Sequence, residues 1–205
     1  MRKSMLTALL LCLGMAMGLT LNIAVSVVPP EPSKQQTIEW LDNPRPVANF
    51  SLASEAGTFT RQSLTGHWTI VLFGFLHCPD ICPTSLAQLA RLVASLADTP
   101  TNPDIAFVFV SVDPGRDSVT DLSQYVRYFD PSILGVTGSE AQLTAFADSL
   151  GIRFEVSPDD EDYSVAHSIK FSIIDPEGVF RGRFPPGFDA TALARELAFR
   201  VEADR

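Results

Sequence analysis

An α/β fold with a mostly parallel sheet covered on both faces is what this chain predicts, on three observations. Two uniformly apolar runs, Trp68 to Phe75 and Ile105 to Val112, read as strands buried on both sides. Segments with helical apolar spacing follow each of them. A strand–turn–strand pattern, Ile169 to Ile174, Asp175-Pro176-Glu177-Gly178 and Val179 to Arg183, then precedes a last helix.

In chain order, Phe50-Ser51-Leu52 and Thr58-Phe59-Thr60 flank Gly57 and predict a short hairpin. After the first main strand, Leu86, Leu89, Val93 and Leu96 keep helical spacing, with Pro83 suited to a first turn. Asp117 to Phe129 predicts a second helix with Leu122, Tyr125, Val126 and Phe129 on one face. Ile133 to Val136 is a short strand, and Ser139 suits the N-cap of a helix running to about Leu150. Asp189 suits the cap of a final helix that buries Leu193, Leu197 and Val201. The acidic run Asp159-Asp160-Glu161-Asp162 reads as a solvated inserted loop. A parallel core ending in an antiparallel hairpin, with a cysteine pair between the first main strand and its helix, is the thioredoxin-like arrangement: a central mixed sheet flanked by helices.

The 205 residues are 46% hydrophobic and 19% charged, a globular composition. A net charge of −9 argues against nucleic acid as a partner. Arg2 and Lys3 precede Met5 to Val28, which carries no charge. As a helix that run reaches about 36 Å, enough to span a bilayer. No small-x-small cleavage site is convincing, Asn22 to Ser26 being the nearest, and Leu11 before Cys12 does not fit a lipoprotein signal. The expectation is an uncleaved single-pass anchor over 1–28, a Pro-rich linker over 29–46 and one domain over 47–205. The basic end then stays cytoplasmic. The domain faces the periplasmic side of a bacterial cytoplasmic membrane.

Chemistry concentrates at Cys78-Pro79-Asp80-Ile81-Cys82-Pro83, between a strand and a helix. A helix N-terminus favours thiolate over thiol, the form that attacks disulfides and binds soft metals. The pair is a redox couple, a metal clip or a structural disulfide. Thioredoxin-like reductases usually carry two residues between the cysteines and a cis-proline just ahead of the hairpin. Three residues separate these thiols, and Val165-Ala166-His167-Ser168 stands where that proline would be. Two thiolates and an imidazole suit copper, whereas a structural zinc site wants a fourth ligand. His77 reads as a residue supporting the site or touching a partner, and His67 as a loop residue.

The segments Phe73 to Pro83, Ser111-Val112-Asp113-Pro114-Gly115-Arg116-Asp117, Gly135 to Gly138, Asp162 to Ser168 and Ile174 to Gly178 resemble, in order, those of the Sco/SenC family. These are copper-binding proteins that help assemble cytochrome c oxidase. The resemblance implies a membrane-tethered thioredoxin-like domain holding copper through Cys78, Cys82 and His167. It implies the copper-site subunit of cytochrome c oxidase as the target, and keeping the thiols reduced for loading then calls for a copper donor and a thiol reductant upstream. Asp113, Arg116 and Asp117 match the family's acidic-basic loop; Asp113 shapes that loop or a partner surface, and Asp117 either joins it or caps the next helix. Two positions depart from the family. Ala166 stands where an acidic residue often precedes the ligand histidine, and Leu76 where Thr is frequent. The rival reading is a thiol-disulfide oxidoreductase, with Cys78 as attacker and Cys82 as resolver. A peroxidase or a binding module with a structural disulfide fits less well.

Overall fold

The computed structural model describes residues 38–157 and 163–204. The expected anchor over 1–28 and the acidic run over 159–162 lie outside them. Among the described residues, no helix is long and apolar enough to cross a membrane.

The elements run β1 (Glu39–Pro46), β2 (Ser51–Ser54), β3 (Gly57–Thr60), a 3-10 turn (Arg61–Leu64), β4 (Trp68–Gly74) and α1 (Ile81–Ala97). Then come β5 (Ile105–Ser111), α2 (Val119–Phe129), β6 (Ile133–Thr137), α3 (Glu140–Ser149), β7 (Phe154–Ser157) and β8 (Ser164–His167). The chain closes with β9 (Phe171–Ile174), β10 (Val179–Phe184) and α4 (Ala190–Ala203). Eight strands form one mixed sheet in the order β1-β10-β9-β4-β5-β6-β2-β3. β4, β5 and β6 pair in parallel, whereas β9 runs antiparallel to β4 and β10 to β9. β7 and β8 make a separate two-stranded ribbon.

Alternate residues of β4 explain its nearly all-apolar sequence. Ile70 and Leu72 face a core with Leu86, Leu89 and Leu92 of α1 and Leu193 and Leu197 of α4. Val71 and Phe73 face the other core, with Phe50, Phe59 and α3's Leu143 and Phe146. Two buried faces leave no position for a polar residue facing water. Among the described α-helices, side chains cap two N-termini: Ser118 on α2, which accepts from the Asp121 N–H, and Asp189 on α4, which accepts from the Ala192 N–H. Ser139 occupies the N-cap of α3 without a side-chain bond. α1 begins at Ile81, so Pro83 is its third residue; the first N–H groups of a helix have no intrahelical partner, and proline forfeits nothing there.

Residues 39–46 differ from the expected linker, for they form the edge strand β1 on β10. Nothing in their local pattern requires it; their tertiary partners do. Trp40 sits edge-on to Trp68 at 6.4 Å between ring centroids. Arg183 grips both carboxylate oxygens of Glu39 at 2.7 and 2.9 Å. Pro44 and Pro46 are tolerated because an edge strand has N–H groups with no ladder partner to lose.

Candidate metal centre

Cys78 and Cys82 are positioned by the exit of β4. A Cβ on Gly74 would stand 2.7 Å from the Phe109 ring and 2.9 Å from Cys82 Sγ. Only a glycine lets sulfur and ring pack on the strand there. The chain turns at Phe75, whose carbonyl accepts from the Cys78 N–H at 3.4 Å. Cys82 follows as the second residue of α1. Both thiols are free and buried, at 8% and 2% exposure. They share a small apolar cluster with Phe75, against which Ile81 and Val165 pack.

Burial reverses one expectation. The Cys82 thiol is pushed up to about 12, first by desolvation, then by a hydrogen bond shared with Cys78 and the nearby charges of Cys78 and Asp117. The Phe75 N–H, donating to the sulfur, opposes this in part. The helix end therefore does not make Cys82 a thiolate in the metal-free chain, because loss of water outweighs the dipole. A soft metal ion supplies the positive charge that releases such a proton.

His167 ends β8, on the two-stranded ribbon. Its Nε2 lies 3.7 Å from Cys82 Sγ, across 85 residues of sequence. Nδ1 is 3.2 Å from the Ser168 carbonyl. With Nδ1–H donating there, Nε2 is the unprotonated nitrogen that faces the sulfur. The Ser168 N–H donates in turn to the Arg153 carbonyl at 2.9 Å, and Phe75 meets the imidazole edge-on. Burial lowers the His167 pKa, opposed in part by the Ser168 carbonyl. The ring is neutral near pH 7, the form that binds metal.

The loop after β5 supports this centre. Asp113 is fully buried. Its Oδ2 accepts from Arg116 Nε at 2.6 Å, and its Oδ1 accepts from the Tyr163 hydroxyl. Asp117 does not cap α2, since Ser118 does. Its Oδ2 accepts from the Leu76 N–H at 2.9 Å and from the Ser111 hydroxyl, tying the exits of β4 and β5 together. His77 lies beyond the end of β4 and turns toward this loop, its Nδ1 3.6 Å from Asp117 Oδ1. Donor atoms of His77, Asp113 and Asp117 all lie within 4.8 Å of one another. Each residue is visible in the sequence, but nothing local groups them. Tyr125 was legible only as a core position. Its phenol is pushed up to about 12, by burial first and then by Cys82, Cys78 and Asp117. His67 is apart from all of these, lining a cavity with Thr69 and Phe107 beneath the β2–β3 hairpin.

Residues 41–202 match the family model described as SCO1/SenC. The human mitochondrial protein SCO2 homolog is 42% identical over 147 residues, which cover 71% of this chain and 55% of that protein. The chain spans 55 to 62% of the length of the human, bovine and mouse relatives it matches. A protein of Stutzerimonas stutzeri described as copper-binding is 30% identical over 207 residues, covering 100% of this chain and 97% of that one. The crystal structure of yeast Sco1 with copper bound superposes with a TM-score of 0.72 at 32% identity, over 78% of this chain and 90% of that one.

Proposed function

The chain belongs to the SCO1/SenC family, and from that premise we propose that it is a copper metallochaperone whose cargo is held by Cys78, Cys82 and His167. The observation that carries this reading is the 3.7 Å approach of His167 Nε2 to Cys82 Sγ, with Nδ1 engaged at the Ser168 carbonyl. A neutral imidazole is thereby aimed at the Cys82 sulfur of a pair of free, buried thiols. Two sulfurs hold Cu(I), and the imidazole accommodates Cu(II). Loading releases the thiol protons, and delivery is ligand exchange with the target's own donors. The family resemblance supplies the target, the copper-site subunit of cytochrome c oxidase. The N-terminal apolar run with its basic end supplies the setting, a membrane tether with the domain on the periplasmic side, and loading reduced thiols calls for a copper donor and a thiol reductant upstream.

A second reading, thiol-disulfide exchange with the same target, is favoured by the two free thiols, which are buried together in one small apolar cluster. Cys82, held protonated by burial, is then the resolving sulfur and Cys78 the attacker.

The deciding experiment is anaerobic copper loading of the reduced chain beside its His167→Ala variant. One tightly bound copper per chain, weakened and spectrally changed in the variant, is the expected result. Weak copper binding indifferent to His167→Ala, with a readily cycled disulfide, assigns the chain to the oxidoreductase reading instead.

A further inference from the structure

We infer that His77, Asp113 and Asp117 form a second metal site beside the thiols, lined by nitrogen and oxygen, for a divalent transition-metal cation of the copper(II) or zinc class. It uses none of the proposed copper ligands, so it stands or falls apart from the metallochaperone reading.

Asp117 carries the argument. Its side chain is fully buried. Oδ2 is engaged by Leu76 and Ser111, but Oδ1 has no hydrogen-bond partner. A buried carboxylate oxygen without a donor is uncommon and costly. The group facing it is His77 Nδ1 at 3.6 Å, too long for an N–H···O bond. Two ligands of one tetrahedral ion at about 2.1 Å stand about 3.4 Å apart. The gap between imidazole and carboxylate is close to the one a shared tetrahedral ion such as zinc leaves.

Charge and access agree. Asp113 and Asp117 bring two buried carboxylates, and Arg116 balances one, bonding Asp113 Oδ2 at 2.6 Å. One negative charge is left to receive a cation. Each Asp113 oxygen accepts one bond, from Arg116 or Tyr163, and keeps a second lone pair. The His77 side chain is 56% exposed, so an ion and its remaining waters reach the site from solvent. Imidazole with carboxylates suits copper(II) or zinc, whereas magnesium and calcium prefer oxygen alone and Cu(I) prefers sulfur. Because His77 directly precedes Cys78, an ion docked on these harder donors waits beside the thiols.

The test uses the full chain with Cys78→Ser and Cys82→Ser, which removes the thiol centre and isolates this one. Copper(II) is added, with binding read by calorimetry and the ligands by electron paramagnetic resonance; zinc is titrated in parallel. The expected result is one ion per chain, with copper(II) showing nitrogen coupling in an oxygen-rich environment. Adding His77→Ala, an exposed substitution that spares the fold, removes that coupling and weakens binding at least tenfold. Asp117→Asn weakens it likewise, while His67→Ala leaves it unchanged. Absence of saturable binding overturns the inference. So does binding that His77→Ala leaves untouched, or that is lost with His67→Ala.

Discussion

Tyr163 and Asp113 lie 50 residues apart and meet through one hydrogen bond, the Tyr163 hydroxyl donating to a fully buried carboxylate. Arg116 completes the contact, its guanidinium 3.7 Å over the Tyr163 ring while its Nε bonds the same Asp113. Tyr163 immediately precedes β8, the strand that ends at His167. The clamp therefore ties the foot of the ribbon to the loop that packs beside the cysteines.

Removing that hydroxyl leaves a buried acceptor short of a donor. Tyr163→Phe is expected to lower stability by about 1–2 kcal/mol. It is also expected to loosen the contribution of His167 to bound copper while both sulfurs still coordinate. Chemical denaturation measures the first effect, and the copper(II) spectrum beside that of His167→Ala measures the second.

Gly74 offers no side chain to a metal, yet its substitution is expected to disturb the proposed metal centre. A Cβ there meets the Phe109 ring at 2.7 Å and Cys82 Sγ at 2.9 Å, and neither neighbour has free space. Gly74→Ala is expected to cost about 1–3 kcal/mol through overpacking and to shift Cys82. Reduced copper affinity in a folded Gly74→Ala chain is the outcome to look for.

Cys82 ties stability to alkaline pH. Its folded pKa is raised from 9.0 to about 12, so the folded state keeps a proton that the unfolded state gives up. The stabilisation is full below pH 9 and is lost as pH rises toward 12. The metal-free reduced chain should lose stability across that window, and Cys82→Ala should flatten the loss. In a Cys78→Ser chain, alkylation of Cys82 at pH 8 is expected to run at least tenfold slower when folded than when unfolded.

His167 works in the opposite direction on the acid side. Its folded pKa is lowered below 6.5 by burial, so the unfolded state takes up the proton first. The stability it contributes is present above pH 6.5 and declines as pH falls through the folded value. A His167→Gln chain, measured by thermal melting from pH 7 to pH 5, should lose less stability than the parent.

The edge strand β1 can be tested by truncation. A chain starting at residue 38 is expected to fold as well as the full chain, and one starting at residue 47 to be markedly less stable. Trp40→Ala should account for about 2 kcal/mol of that difference. It removes the edge contact with Trp68, the Arg200 guanidinium stacked at 4.9 Å and the indole bond to Glu196.

Sequence alone determined what short-range physics encodes. The uniform apolar runs of β4 and β5 required two covered faces. Asp189 marked the start of α4, and the Asp175 to Gly178 turn marked the last hairpin. The ordered motifs from Phe73 to Gly178 were sufficient for the family resemblance. Tertiary structure alone decided what depends on neighbours far along the chain. It made Glu39–Pro46 a strand, since Trp68 and Arg183 supply partners that a Pro-containing polar stretch cannot provide for itself. It held Cys82 as a thiol, because the Phe75 and Val165 packing that strips its water comes from outside its own helix. It brought His167 to Cys82 and set His77 against Asp113 and Asp117. Periodicity and capping are written in adjacent residues, whereas the dielectric and the donors around a side chain are fixed only when distant strands close around it.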